Sequence, residues 1–199
     1  VRQEIFAGIG PDGQEKIKKG RVAIIEMSSI GGAVANSLVR AGVGYVRLID
    51  GDYIELAELQ RQTIFTEKDA KEETPKVVAA YEYLKTVNSE VEIDPVISDV
   101  NSGTIDNLIE DVDLVIDATD SMEVRLLLNE ACHHLKKPWI YGGTLAIISL
   151  RRPPPTPVIV PRNTSKNALS IYPWRIPVFT PTTVKIPSPT ESIASMILS

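Results

Sequence analysis

Residues 21–50 read RVAIIEMSSIGGAVANSLVRAGVGYVRLID, and this stretch decides the fold class. It places two short apolar runs, 21–26 and 45–50, on either side of a segment whose apolar residues recur at helical spacing over 30–41. This pattern is typical of a buried strand, a helix and a second buried strand. Gly42 is expected to end the helix, because glycine readily adopts the left-handed conformation that follows helix C-termini.

The same alternation continues to residue 141. It predicts helices at 75–87, 104–110 and 122–135, and strands at 91–97, 113–118 and 138–141. Strands that alternate with helices form a mostly parallel sheet with helices on both faces. The expected fold class is therefore α/β, with a doubly wound, Rossmann-like sheet.

The C-terminal part has a different composition, because ten of the fourteen prolines lie between Pro153 and Pro189. Prolines are poorly tolerated in central strands and long helices, so we expect a proline-rich edge hairpin and a crossing loop at 146–199. Ser188 and the residues after it (SPTE) have the pattern of a helix start. We expect one domain over 1–199, with an N-terminal helical arm at 1–20 and a core at 21–145.

Composition narrows the function class. The chain is 43% hydrophobic, enough for one core, and its net charge of -5 is spread over interspersed charges. Neither a nucleic-acid partner nor a membrane is therefore expected, and a cytoplasmic setting follows by default. The single cysteine, Cys132, cannot supply a disulfide or a Cys-rich zinc site. We expect Cys132 to be a buried helix residue and its neighbours His133 and His134 to point in different directions, which disfavours a metal site.

The turn after the first strand is the first candidate binding site. Such turns present backbone N–H groups and a helix N-terminus to phosphates, and Gly31 stands where helix and strand must pack closely. Taken by itself, this motif favours the interpretation of Gly31 and Gly32 as helix-packing glycines. Asp50, at the end of the next strand, could accept hydrogen bonds from ribose hydroxyls, or it could be a solvated turn acid.

The stretch DGDYIELAELQRQ at 50–62 resembles a signature of the ThiF/MoeB family, the E1-like adenylating enzymes. Further matching pieces follow one another in order over about residues 2–145. They are Arg2-Gln3, GIGPDGQEKI at 8–17, RAGVG at 40–44, TPK at 74–76, VNSEVEI at 87–93, DATD at 117–120, Arg125, Asn129 and WIYGG at 139–143. The ordered series makes the resemblance specific.

The resemblance implies roles for named residues. Asp50 would hold the ribose of ATP, Arg61 and Lys76 would bind its phosphates, and Asp120 would help to hold Mg²⁺ beside the reacting carboxylate. Arg2 would reach into the nucleotide site of a neighbouring subunit, which implies a homodimer. The partner would be a small ubiquitin-like or sulfur-carrier protein that ends in Gly-Gly.

Simpler interpretations of the same residues stay open at this stage. Asp120 and Glu123 have the spacing of a capping box for the following helix. Arg61 and Lys76 could be ordinary surface cations, and Arg2 could be a solvated terminal charge.

The chain also departs from the family pattern. Glu26, Ser28 and Ser29 stand at three glycines of the family's Gly-x-Gly-Gly-x-Gly turn, and Glu58 stands where the family has an asparagine. A carboxylate near the phosphates adds repulsion, and side chains hinder the close approach that glycine permits. These changes weaken the expectation of ATP and Mg²⁺ binding. Residues 162–181 contain no cysteine, so neither zinc binding nor thioester formation is expected.

Two functions remain in view. The first is ATP-dependent adenylation of a small protein's C-terminal carboxylate, and the alternative is a catalytically silent relative that serves as a protein-binding or dimerisation scaffold. An NAD-dependent oxidoreductase ranks last, because it does not account for Arg61, Lys76 and Asp120 together.

Overall fold

The structure is a computed structural model, and it describes residues 2–143. The described helices are α1 (Arg2–Ile5), α2 (Gly10–Lys19), α3 (Ser29–Ala41), α4 (Glu67–Lys71), α5 (Lys76–Val87), α6 (Ile105–Ile109) and α7 (Met122–His134), with a 3-10 turn at Leu56–Glu58. The described strands are β1 (Arg21–Ile25), β2 (Tyr45–Ile49), β3 (Glu92–Val96), β4 (Leu114–Asp117) and β5 (Trp139–Tyr141). These elements match the predicted alternation, with boundaries that differ by one or two residues.

The five strands form one parallel sheet in the order β3-β2-β1-β4-β5. The chain builds outward from β1 to β3, then crosses back to place β4 on the other side of β1. This reversal next to β1 is the point where open parallel sheets bind ligands, outside the carboxyl ends of their strands. The predicted α/β class with a Rossmann-like sheet is confirmed.

Each face of the sheet is covered by its own apolar cluster. Val22 and Ile24 of β1 pack on the side of α3 and α5, whereas Ala23 and Ile25 pack on the side of α6 and α7. Because successive side chains of a strand point to opposite faces, a central strand in a doubly wound sheet must be apolar throughout. This explains the uninterrupted apolar run of β1, which begins the first strand-helix-strand unit of the chain.

Local residues explain several element ends. Gly42 ends α3 with φ 81°, and its N–H donates to the carbonyls of Leu38 and Val39, as predicted. Pro75 is the N-cap of α5, one position earlier than the first-turn place expected for it. Pro95 lies within β3, which tolerates proline because it is an edge strand.

The short helix α4 was missed from the sequence, although a signal for it is present. The Thr66 hydroxyl accepts a hydrogen bond from the Asp69 N–H, and the Asp69 carboxylate accepts one from the Thr66 N–H. This reciprocal pair is a capping box, and its Thr-x-x-Asp spacing could have located the helix.

Residues Val1–Ile147 form one compact unit, which contains the described part of the chain. The predicted edge hairpin, crossing loop and helix start lie at 146–199, outside the described residues, and the single-domain division stays a prediction. No helix within residues 2–143 has the length and apolar character needed to cross a membrane.

Candidate functional site

The carboxyl ends of β1, β2 and β4 converge on the turn that follows β1. The Glu26 N–H donates to the Ile49 carbonyl at 2.8 Å, and the Ala118 N–H donates to the Ile25 carbonyl at 3.1 Å. The Met27 N–H donates to the Asp50 carboxylate at 2.7 Å. Gly31, Asp50 and Asp120 therefore lie at the same edge of the sheet, outside the carboxyl ends of its strands.

The turn itself has an unusual backbone. Glu26 adopts φ 72°, in the left-handed region, which is why β1 stops at Ile25 instead of including residue 26 as predicted. A β-carbon on Gly31 would lie 1.9 Å from the Glu26 carbonyl oxygen, so only glycine lets α3 start this close to the strand. Gly32 packs against Ile64. Both glycines thus have a packing role, and the nucleotide role of Gly31 stays a prediction.

Asp50 is buried, with 6% of its surface exposed, so the interpretation as a solvated turn acid is wrong. Its two carboxylate oxygens accept hydrogen bonds from the Met27 N–H at 2.7 Å and the Asp52 N–H at 2.8 Å. Burial raises the pKa of Asp50, and the two N–H donors offset only part of that effect. Asp50 therefore couples the turn after β1 to the segment after β2.

Lys76 lies at the start of α5 and is 5% exposed, so it is not an ordinary surface cation. Its Nζ is 3.3 Å from the Asp52 carboxylate and 3.2 Å from the Glu58 carboxylate. Burial acts to lower the pKa of Lys76, but the charges of Asp50, Glu58 and Asp52 outweigh it and raise that pKa. The ammonium group is thus held in its charged form below the surface.

Arg61 is the more exposed of the two predicted phosphate ligands, with 49% of its side chain accessible. Its guanidinium donates to the Glu58 carboxylate at 3.0 Å. Arg61 and Lys76 therefore meet at one carboxylate, although fifteen positions separate them in the chain. The structure brings together the two cations that the resemblance singled out.

Asp120 lies on the exposed loop between β4 and α7 and forms no hydrogen bond or ion pair with the described residues. The N-cap of α7 is Ser121, whose hydroxyl accepts from the Val124 N–H at 3.3 Å. The capping-box interpretation of Asp120 is therefore wrong, and its carboxylate stays available to solvent and ligands.

Arg125 and Asp117 support this loop, and sequence reasoning assigned them no role. The Arg125 guanidinium donates to the buried Asp117 carboxylate at 3.1 Å and to the Thr119 carbonyl, and it stacks on the Tyr141 ring at 3.9 Å. Asp117 also accepts from the Thr119 N–H at 2.9 Å. The family-like DATD stretch and Arg125 were the sequence signal for this network. Residue spacing alone, however, does not predict that Arg125 pairs with Asp117, eight positions earlier.

The altered turn residues have defined surroundings. Burial raises the pKa of Glu26; a hydrogen bond with Thr119 lowers it in part, and the charges of Asp120 and Asp50 add to the rise. The Ser28 hydroxyl donates to the Ala118 carbonyl at 3.1 Å. The Glu26 carboxylate therefore lies among other acids at the position where phosphate would approach the turn.

Two adjoining cavities open at this edge and share Gly51 and Asp52. The first, of about 160 Å³, is lined by residues that include Ile25, Asp50 and Thr119. The second, of about 310 Å³, reaches Glu58 and Lys76. The predicted ribose ligand Asp50 lines the first cavity, and Lys76, one of the two predicted phosphate ligands, lines the second.

Arg2 lies apart from this edge. It belongs to α1, where the neighbouring Gln3 side chain donates to the Ala41 carbonyl at the C-terminal end of α3. Since α3 starts at the candidate site and ends at the opposite edge of the sheet, Arg2 is remote from the site of its own chain. A role across a subunit interface stays a prediction.

Cys132 is buried at 3% exposure, as predicted, and burial raises the pKa of its thiol to about 11. His133 and His134 are exposed. Within residues 2–143 no three His, Cys, Asp or Glu side chains are grouped so that they could hold a metal ion by themselves.

The sequence matches the profile of the ThiF family over residues 1–153. It is 44% identical over 149 residues to the sulfur carrier protein ThiS adenylyltransferase of Bacillus subtilis, covering 75% of this chain and 44% of that protein. It is 38% identical over 144 residues to the molybdopterin-synthase adenylyltransferase of Escherichia coli, covering 72% of this chain and 57% of the relative. The chain thus spans about half the length of these curated relatives.

Solved structures show the same fold. Escherichia coli MccB, crystallised with ATP, superposes with a TM-score of 0.61 at 28% identity, covering 65% of this chain and 38% of MccB. Escherichia coli TcdA, in complex with AMP, gives a TM-score of 0.64 at 22% identity, covering 69% of this chain and 57% of TcdA. At that identity the likeness to TcdA is one of fold alone.

Proposed function

This chain belongs to the ThiF family, and from that premise we propose that it uses ATP to adenylate the C-terminal carboxylate of a small ubiquitin-like or sulfur-carrier protein. The Bacillus relative is named for adenylating the sulfur carrier ThiS, and the Escherichia relative for acting on molybdopterin synthase. Because the chain spans about half of each, the activity, the substrate and the partner all belong to the proposal.

The burial of Lys76 is the observation that carries the proposal. The residue is 5% exposed and lines the second cavity, which shares Gly51 and Asp52 with the cavity lined by Asp50. A buried cation is costly unless it is paired or needed for an anionic ligand. In this proposal the ribose of the nucleotide lies at Asp50 and its phosphates extend toward Lys76.

The proposed reaction needs positioning and charge more than a nucleophilic side chain. A carboxylate oxygen of the partner attacks the α-phosphorus of ATP, a new C–O–P bond forms, and the bond from the α-phosphorus to the bridging oxygen breaks to release pyrophosphate. Two anionic groups must approach each other, so fixed cations such as Lys76 and Arg61 lower the barrier. No proton has to be removed from the attacking carboxylate.

The remaining residues have supporting roles in this proposal. Asp50 would accept hydrogen bonds from the ribose, and the N-terminus of α3, brought close to β1 by Gly31, would face the phosphates. Asp120 has a free, exposed carboxylate that fits a Mg²⁺ ligand, and Mg²⁺ would supply charge neutralisation at the phosphates. Arg125 and Asp117 would keep the Asp120 loop in place.

A catalytically silent scaffold is the second candidate function. Glu26 lies at the turn with a carboxylate close to Asp50 and Asp120, and Glu58 already pairs with both cations. Each adds negative charge where an anionic ligand must bind, which favours a chain that has kept the fold without the reaction. The two candidate functions differ in whether the chain binds Mg-ATP and then exchanges pyrophosphate with it.

Pyrophosphate exchange decides between them. The full chain is incubated with ATP, Mg²⁺, labelled pyrophosphate and a purified sulfur-carrier protein that ends in Gly-Gly, and labelled ATP is measured. The control is the same carrier with its last glycine removed. Labelled ATP that depends on the intact carrier supports adenylation. A chain that binds the carrier but shows neither exchange nor heat of Mg-ATP binding in calorimetry is a scaffold.

A further inference from the structure

Glu58 lies between the two cations that the proposed reaction needs. Its Oε1 atom is 3.0 Å from the Arg61 guanidinium, and its Oε2 atom is 3.2 Å from the Lys76 ammonium. The side chain of Glu58 is 17% exposed and that of Lys76 is 6% exposed, so water screens this contact little. The Glu58 carboxylate thus pairs with both cations, through a different oxygen for each.

The Glu58 side chain is held in this position from the other side as well. The Gln62 amide, in a residue that is 2% exposed, donates to Oε1 of Glu58 at 2.9 Å. The Glu58 carbonyl accepts from the N–H groups of Arg61 and Gln62 at 3.0 and 3.1 Å. Both the backbone and the carboxylate of Glu58 are therefore fixed by the segment that follows it.

Asp52 also pairs with Lys76, but its side chain is 71% exposed. An exposed carboxylate can turn into solvent at little cost, whereas Glu58 has to leave the buried ammonium group of Lys76. Glu58 is for this reason the acid that an incoming anion would have to displace or tolerate.

We propose that Glu58 is a built-in competitor for phosphate: its carboxylate occupies Arg61 and Lys76 in place of the phosphate oxygens of a nucleotide. This inference rests on the proposed function, because it concerns the regulation of the same site. A polyphosphate that binds Arg61 and Lys76 must break two ion pairs or accept a carboxylate beside it. Nucleotide affinity is thereby lowered, and a partner that draws Glu58 away would raise it.

Calorimetry with tripolyphosphate tests the proposal on the full chain, because this probe carries the phosphates of ATP without its base or ribose. Glu58→Gln keeps the shape and removes the charge, and we expect it to bind tripolyphosphate at least about tenfold more tightly than the parent. Glu82→Gln is the matched control. It removes one negative charge from an exposed position of α5, the helix that carries Lys76, at a residue that lines neither cavity, and we expect a change below about twofold.

The double variant Glu58→Gln/Lys76→Ala identifies the cation involved, and we expect it to lose the gain of Glu58→Gln. The proposal is overturned if Glu58→Gln binds no more tightly than the parent, if Glu82→Gln gains as much, or if the double variant keeps the gain. Should Glu58→Gln fail to fold, Glu58→Asp replaces it. Its carboxylate is one methylene too short to serve both cations, so a smaller gain is expected, and no gain overturns the proposal.

Pyrophosphate exchange separates a failure of this inference from a failure of the proposed function. If the chain is a scaffold, neither parent nor Glu58→Gln exchanges pyrophosphate, yet Glu58→Gln still binds tripolyphosphate more tightly. If the inference is wrong, a parent that exchanges pyrophosphate has the same tripolyphosphate affinity as Glu58→Gln.

Discussion

Gly31 lies so close to Glu26 that a β-carbon at position 31 would be 1.9 Å from the Glu26 carbonyl oxygen. The contact joins the first turn of α3 to the residue after β1, and both partners are backbone. It makes position 31 specific for glycine for reasons of packing, independent of any ligand.

Gly31→Ala should destabilise the fold, and Gly32→Ala is its matched control. Both positions are helical, so both gain the helix propensity of alanine, about 0.5 to 1 kcal/mol. At Gly31 the backbone must move, which we expect to cost about 1 to 3 kcal/mol net. At Gly32 the nearest atom is the Cδ1 tip of Ile64 at 3.1 Å, which can shift, so the change should stay within about 1 kcal/mol. Urea unfolding measures both, and equal losses would contradict the close-contact explanation.

Changing Glu26, Ser28 and Ser29 together to glycine should strengthen Mg-ATP binding. One negative charge about 4 Å from a phosphate costs on the order of 1 to 4 kcal/mol at effective dielectrics of 80 to 20, so a gain of about tenfold is expected in calorimetry. Glu26→Gly should carry no backbone penalty, since residue 26 already has φ 72°. Ser28→Gly alone should cost about 1 kcal/mol of stability, because the bond to the Ala118 carbonyl is lost. A triple variant with unchanged affinity would show that the turn does not limit binding.

Glu26→Gln should stabilise the fold at neutral pH and lose that advantage in acid. Burial raises the pKa of Glu26 above its ordinary value of 4.5, so the folded chain holds this proton more tightly than the unfolded chain. The ionised carboxylate therefore costs stability above the folded pKa, and the cost vanishes as pH falls below about 4.5. The difference in unfolding free energy between variant and parent should shrink from pH 8 to pH 4. If the difference in unfolding free energy does not change with pH, the stability change of Glu26→Gln comes from its hydrogen bond with Thr119 and not from the charge.

Asp120→Ala should abolish pyrophosphate exchange without changing stability. The Asp120 side chain is exposed and makes no hydrogen bond or ion pair among the described residues, so unfolding free energy should stay within about 0.5 kcal/mol. Asp117→Ala is the contrasting change. It leaves Arg125, whose side chain is 15% exposed, without its buried carboxylate, and should cost about 3 to 5 kcal/mol in urea unfolding. Exchange that survives Asp120→Ala would put the metal site elsewhere.

Arg2→Ala should weaken exchange while the domain stays folded, if Arg2 acts across a homodimer interface. The decisive experiment mixes Arg2→Ala, which is weakened alone, with Asp120→Ala, which is inactive alone. Subunit exchange creates heterodimers with one intact site, so about a quarter of the parent activity should return. No recovery in heterodimers verified by tagged co-purification would contradict the role in trans.

The sequence alone was sufficient for the five strands, for the helices other than α4, and for the edge of the sheet at which the candidate site lies. Apolar runs and helical spacing are local and periodic, so they identify β1, α3 and β2 without knowledge of their neighbours. The position of Asp50 after β2 then follows from the rule that parallel strands end at one edge. The end of α3 at Gly42 could also be predicted, because it depends on the φ angle that residue 42 itself can adopt.

Only the tertiary structure decided how the charged residues meet. Glu58, Arg61 and Lys76 form one cluster because the segment after β2 folds back onto α5, a pairing that no spacing encodes. The Asp120 carboxylate has no partner among the described residues because Ser121, one position later, is the N-cap of α7. Glu26, which follows β1 and has a positive φ, donates its N–H to Ile49, and its carbonyl lies against Gly31 of α3. Contacts between distant segments depend on the packing of the whole sheet, whereas propensity and periodicity act over a few residues.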